Sequence, residues 1–347
     1  MPQSVPFDIP YPARISPDLD RARQHHLEWM RAMGLTTGEK AIRRYARWTL
    51  SELAARFYPT AFAEDLELAA DAIGWFFPFD DQFDGAEGDR RDAAHAACGE
   101  LRAMTLRPAG TPTRLPVAVT RSWGNIWTRE SLGMSPSWRE RAAADWREYF
   151  AGYAAEAAVR REARPIPVEE YLHIRRATIG VKPVLGLAER VQHCELPASL
   201  AAHPHLDQMR NLVADTVTYA NDVCSVEKEE ARDDTFNLVL ILQRHHLTRR
   251  SEAIRHIQGM MADTIHRFEQ LRYALPALCR ENGLREDEAA VIGRFVRDGM
   301  ESCIRGNYDW QRESGRYTPA DVIPGSRANY LEDLVTPSPE SRRRTTS

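Results

Sequence analysis

Long apolar runs are missing from this 347-residue chain: no stretch approaches the roughly 20 residues a membrane-spanning helix needs. Nor does it open with the basic start and apolar core of a secretory signal, so a cytoplasmic protein is expected. Cysteine is sparse. The five residues Cys98, Cys194, Cys224, Cys279 and Cys303 are odd in number and far apart, and no CxxC pair suggests a zinc or redox centre. Reduced thiols are expected. Positive charge is also lacking, with 46 Lys and Arg against 50 Asp and Glu, which excludes the basic excess that a nucleic-acid binder uses against phosphates. Alternating Val, Ile and Thr segments are absent too, and nothing demands a β-sheet.

What is present is helical periodicity. From about Ser16 onward most stretches repeat Ala, Leu, Arg and Glu at helical spacing, which predicts an all-α protein. Breaks rich in Pro, Gly, Thr or His at residues 105–116, 164–167, 203–205 and 315–324 read as loops between helices rather than domain linkers. One domain over residues 1–335 is expected, followed by a disordered tail over 336–347 that combines Pro, Ser and three consecutive arginines.

Residues 66–85 read LELAADAIGWFFPFDDQFDG, apolar nearly all round the helical wheel until the acids arrive. Ionised carboxylates at the end of an interior helix are strongly disfavoured unless a cation compensates them. Asp80 and Asp84 are four apart and share a face, while Asp81 lies about 100° round and could meet an arginine. Carboxylate oxygens suit Mg²⁺, which keeps several waters and shares its shell with substrate phosphates. The competing reading is an acidic helix end on the surface. Pro78, inside the helix, removes a donor and should kink it near Gly74.

Residues 212–230, LVADTVTYANDVCSVEKEE, place Asn221, Ser225 and Glu229 at i, i+4 and i+8. Three oxygen ligands therefore fall on one face, in line with Ala214 and Val217, where simple packing would favour leucine. Lys228, beside that face, could donate to a phosphate. A solvated helix end is the alternative, since the run from Glu227 to Glu230 needs no function.

With FDDQFDG and NDVCSVEKE on the page, the chain resembles class I terpene synthases, and within them the bacterial sesquiterpene cyclases, over nearly its whole length. RRATIGVKP, beginning at Arg175, and IRGNYDWQRESGRY, ending at Arg316 and Tyr317, are similar to further motifs of that family. The resemblance implies a helical bundle around a central cavity, an isoprenyl diphosphate substrate (farnesyl favoured) and three Mg²⁺ ions. It implies that Asp80, Asn221, Ser225 and Glu229 bind metal, with Asp84 nearby directly or through water. It further implies that Asp81 engages Arg316, that Arg175, Lys228, Arg316 and Tyr317 grip the diphosphate, and that Thr178 links Arg175 to an effector carbonyl at Ile179.

Ionising an allylic diphosphate leaves a carbocation, which aromatic faces can stabilise. Phe76, Phe77 and Trp310 are the candidates, with ordinary core packing as the alternative for each. Glu170 and His173 form an ExxH pattern, but a di-iron site needs a second one and none is evident. Competing functions are a diterpene cyclase using geranylgeranyl diphosphate, a prenyl diphosphate synthase, and a non-catalytic helical scaffold that binds divalent cations. A synthase of the elongating kind would carry two aspartate-rich motifs, whereas the second helix here carries Asn, Ser and Glu. Monomer and homodimer both remain open.

Overall fold

Helical periodicity becomes helix along most of the described chain. The structure, a computed structural model, describes residues 4–83, 88–162, 165–231, 234–246, 249–318 and 332–336, and these contain no strand. The first helices are α1 (Leu19–Ala32), α2 (Glu39–Ala46), α3 (Leu50–Phe57), α4 (Ala63–Asp80) and α5 (Gly88–Met104). Next come α6 (Ala118–Ser131), α7 (Pro136–Glu162), α8 (Val168–Thr178), α9 (Val181–Val191) and α10 (Ala198–Ala201). The last are α11 (Pro204–Glu230), α12 (Leu238–His246), α13 (Arg250–Glu281), α14 (Glu286–Arg294) and α15 (Ser302–Glu313).

Two helices supply much of the interior, because their sequences are apolar over most of their middle turns. Helix α4 is buried along most of its length and packs against α1, α3, α6 and α9. Helix α11 is likewise mainly buried, against α8, α9, α12, α13 and α15. All five cysteines are buried free thiols. Among the described residues no helix is long and apolar enough to cross a membrane.

Pro78 does sit inside α4, and the molecule compensates for the donor it removes. The Gly74 carbonyl, four residues back, accepts a hydrogen bond from the Tyr45 hydroxyl at 3.1 Å. That hydroxyl also lies 2.7 Å from His26 Nε2, and His26 Nδ1 lies 2.9 Å from the buried Asp71. A Cβ at position 74 would stand 2.2 Å from His26 Nε2 and 2.4 Å from the Tyr45 oxygen. Helix propensity alone would make Gly74→Ala stabilising by about 1 kcal/mol. Overpacking of a braced core, about 1–3 kcal/mol or more, should outweigh it. Urea denaturation is therefore expected to show a lower midpoint for Gly74→Ala; a higher midpoint would refute this account of the brace.

One loop reading needs correction. Residues 203–205 do not form a connecting loop: Pro204 is the first residue of α11 and His203 its N-cap, with His203 Nδ1 accepting the His205 N–H at 3.1 Å. Proline suits that first position because its missing N–H is one the helix leaves unpaired anyway. Residues 337–347, which include most of the expected disordered tail, lie outside the described residues.

Candidate active site

A single cavity collects side chains from α3, α4, α7, α8, α9, α11 and α15, with about 1140 Å³ of free space counting its open mouth. Much of its polar lining comes from the C-terminal halves of α4, α7, α8 and α11 and from just beyond α15, and apolar residues precede it on α4 and α11. Ile73 is about two turns before Asp80 on α4, and Val217 is one turn before Asn221 on α11. C-terminal helix ends carry partial negative charge, an arrangement that favours cations between them.

At the end of α4, Asp80 lines the cavity and accepts a hydrogen bond from the Tyr153 hydroxyl at 3.0 Å. Loss of hydration raises its pKa, and the charge of Asp81 raises it further against the opposing pull of Arg316. Asp81 points away and is fully buried. The Arg316 guanidinium forks across it, Nη1 to Oδ2 at 3.2 Å and Nη2 to Oδ1 at 2.9 Å. Asp84 lies outside the described residues.

On α11 the acidic run divides by face: Glu227 and Glu230 are exposed, while Lys228 and Glu229 line the cavity with Asn221 and Ser225. Burial pushes the Glu229 carboxyl up to about 7, with Asp222 and Asp234 adding to the effect and the hydrogen bond from Asn237 opposing it. Asn237 Nδ2 reaches Glu229 Oε2 at 2.8 Å, leaving the other oxygen for a ligand. Asn221 is held at both ends, its Oδ1 accepting from Arg175 Nη2 at 3.0 Å and its Nδ2 donating to the Tyr317 oxygen at 3.1 Å. Asp80 and the α11 stripe thus meet in one cavity, with Arg175, Lys228, Arg316 and Tyr317 in its wall.

Between α8 and α9 the chain breaks at Ile179 and Gly180, the latter at φ +78° in the left-handed region that glycine tolerates. The residue that would donate to the Ile179 carbonyl in a continuous helix is Pro183, which has no N–H. Thr178, Ile179 and Gly180 all line the cavity. Among the aromatics, Phe76 stacks on Trp146 at 5.1 Å, and Phe77 meets the edge of Trp310 at 5.4 Å. All three candidate rings border the cavity while packing against other rings, so lining and packing are not exclusive. His173 is exposed on α8 and takes no part.

Comparison with known proteins fits this geometry. A family model for terpene synthase family 2, C-terminal metal binding, matches residues 71–267, the span that holds both acidic motifs. The chain belongs to the terpene synthase family. It is 41% identical over 334 residues to a (-)-beta-caryophyllene synthase, (2E,6E)-farnesyl diphosphate cyclizing, from Saccharothrix espanaensis, covering 96% of this chain and 94% of that protein. It is also 41% identical over 335 residues to pentalenene synthase of Streptomyces avermitilis, covering 96% of this chain and 99% of that protein. A crystal structure of a-eudesmol synthase superposes with a TM-score of 0.83 at 32% identity, covering 90% of this chain and all of that one.

As a terpene synthase the protein is a carbon–oxygen lyase acting on an isoprenyl diphosphate, and its family is described as metal binding. Several residues of the synthase's site escaped the motif reading. Tyr149, Tyr153, Glu156 and Arg160 line the cavity from α7, and their spacing of four, three and four marks one helical face that the sequence already displayed. Asp222, next to Asn221, works behind the site: it accepts hydrogen bonds from Tyr171 at 2.5 Å and from the Leu238 N–H at 2.9 Å, and lies 3.5 Å from Arg175. Gln82 is fully buried and ties the aspartate motif to the 332–336 segment, accepting the Leu334 N–H at 3.1 Å.

Proposed function

We propose that this synthase is a cytoplasmic sesquiterpene cyclase that ionises farnesyl diphosphate with Mg²⁺ and folds the resulting carbocation into a ring. The observation that carries the reading is the convergence of Asp80 and the Asn221, Ser225 and Glu229 stripe on the cavity that Arg175, Lys228 and Arg316 also border. Among the described residues no three His, Cys, Asp or Glu side chains group tightly enough to hold a metal unaided. The donor set that lines the cavity, Asp80, Asn221, Ser225 and Glu229, is made wholly of oxygen, which suits a hard cation whose shell is completed by water and diphosphate oxygens. Asp80, Asn221, Ser225 and Glu229 would hold the ions, three in all, with Asp84 close by. Both raised carboxyls, Asp80 and Glu229, would be eased by a cation between them.

When bound, Mg²⁺ neutralises charge on the departing diphosphate. The chain's own donors do the rest of the work at that end. Arg175, Lys228, Arg316 and Tyr317 orient the diphosphate and stabilise the charge that builds as the carbon–oxygen bond breaks. Arg175 keeps its charge in spite of burial because Tyr171, Asp222 and Glu156 outweigh that penalty. Away from the anion, the Ile179 carbonyl, linked to Arg175 through Thr178, and the faces of Phe76, Phe77 and Trp310 offer negative potential to the cation. The apolar walls exclude bulk water.

The test is direct. Purified protein incubated separately with geranyl, farnesyl and geranylgeranyl diphosphates is expected to release diphosphate with farnesyl diphosphate and Mg²⁺, and to yield a cyclic terpene by gas chromatography with mass spectrometry. Chelation with EDTA should abolish release and added Mg²⁺ should restore it. Preference for geranylgeranyl diphosphate would shift the reading to a diterpene cyclase, and no release from any of the three would leave the scaffold reading.

A further inference from the structure

On the α7 side, the cavity wall carries two buried phenols, Tyr149 and Tyr153, that no motif singles out. Their rings interleave with those at the end of α4. Between ring centroids, Tyr153 lies 4.6 Å from Phe83 and 5.2 Å from Phe79, and Tyr149 lies 5.0 Å from Phe76. Phenylalanine would serve such packing as well at either position, and a buried hydroxyl costs hydration unless it finds a partner. Here the partners form a line. The Tyr149 and Tyr153 hydroxyls lie 2.8 Å apart, and the Tyr153 hydroxyl donates to Asp80 Oδ1 at 3.0 Å.

Proton counting gives the line a direction. An ionised carboxylate can only accept, so the one hydroxyl proton of Tyr153 goes to Asp80, and the Tyr153 oxygen is left to accept from Tyr149. Both protons point toward Asp80, an order in which each bond strengthens the next. Among the described residues Tyr153 is the only side chain that hydrogen-bonds the Asp80 carboxylate, and its bond to Oδ1 leaves Oδ2 for a cation. The far end of the line is seated too. A Cβ at Gly180 would stand 3.6 Å from Tyr149 Cε2, so that ring abuts the break between α8 and α9.

We infer that Tyr149 and Tyr153 are positioning residues whose hydroxyls, acting in series, hold the Asp80 carboxylate in the orientation in which it takes Mg²⁺. The inference rests on the reading of Asp80 as a metal ligand given above. A carboxylate at a helix end turns about its last bond unless something fixes it, and a turning ligand has to be ordered when the ion binds. Tyr153 removes that freedom beforehand. Tyr149, packed between Phe76 and the helix break, keeps the Tyr153 oxygen in line. Hydrogen-bonding partners behind a metal ligand are worth roughly ten- to a hundred-fold in metal affinity.

The test removes oxygen alone. Tyr153→Phe keeps the ring, and its Tm without metal checks that it folds. Mg²⁺ is then titrated into each protein with the same inorganic diphosphate present throughout, and the rise in Tm is followed. The Mg²⁺ concentration at half the rise is expected to be about tenfold higher for Tyr153→Phe than for the wild type. Diphosphate release from farnesyl diphosphate should show the same shift in Mg²⁺ requirement. Tyr149→Phe should fall between the two, and the double variant should match Tyr153→Phe, because without the Tyr153 hydroxyl nothing carries the effect of Tyr149 to Asp80. A merely structural role would lower the Tm without metal and leave the Mg²⁺ midpoint where it was, and that result overturns the inference. A double variant whose midpoint lies well above that of Tyr153→Phe overturns the series. A wild-type protein that neither gains Tm with Mg²⁺ and inorganic diphosphate nor releases diphosphate from the substrate overturns the cyclase reading and this inference with it.

Discussion

Asp80→Ala is expected to abolish turnover and leave the fold intact, and Asn221→Ala to do the same from the opposite helix. Each change removes one side chain from the set proposed to hold the metal ions against the diphosphate, where losing a single preorganised group costs roughly a hundred- to a thousand-fold in rate. Stability should respond differently. The Asp80 carboxyl is raised by loss of hydration and by the neighbouring Asp81, so its removal relieves an unfavourable term while forfeiting the Tyr153 hydrogen bond, worth about 1 kcal/mol. Asn221→Ala deprives Arg175 of one acceptor, but Asp222 remains 3.5 Å away to hold the guanidinium. Thermal melts near those of the wild type, beside a diphosphate-release assay at background, are the expected pair of results. Near-normal release by either variant would separate the stripe from the chemistry and remove the basis of the proposed function.

Some of this site could be read before any coordinates because helical spacing is a local property. The four-residue steps from Asn221 to Ser225 and Glu229 fix a face whatever the helix packs against, and the apolar wheel before Asp80 fixes that α4 is interior. What spacing could not tell was whether that face turned inward or formed a solvated helix end; tertiary contact decided that Glu227 and Glu230 meet water while Lys228 and Glu229 line the cavity. The α7 stripe of Tyr149, Tyr153 and Glu156 has equally regular spacing but no motif to single it out. Pro183 likewise stood in the sequence, four residues after Ile179, as a visible reason for a carbonyl to lose its helical donor. The brace at Gly74 was not legible at all, because Tyr45 and His26 come from other helices and only the fold brings them to the carbonyl that Pro78 leaves without a helical donor.

Arg316→Met is expected to unfold the protein more readily as well as to stop turnover, which distinguishes it from the two changes above. The guanidinium lies 4.4 Å from the Trp48 ring centroid and 4.9 Å from that of Phe77 while gripping Asp81, and both charged partners are almost wholly buried. Methionine fills much of that slot but takes the two-pronged guanidinium contact from the Asp81 carboxylate, and breaking one side of a buried ion pair costs about 3–5 kcal/mol. For a chain of this length the loss corresponds to a fall in Tm of roughly 4–7 °C. Arg316→Lys keeps the charge but cannot form the two-pronged contact, so it should fall between methionine and the wild type in stability. The combined change Arg316→Met with Asp81→Asn removes both charges, and most of the lost Tm should return because no buried carboxylate is left without its guanidinium. Turnover should not return with it, since the diphosphate still lacks its guanidinium. Recovery of activity in the double variant would mean that Arg316 serves only to neutralise Asp81, and the assignment of Arg316 to the leaving group would fall.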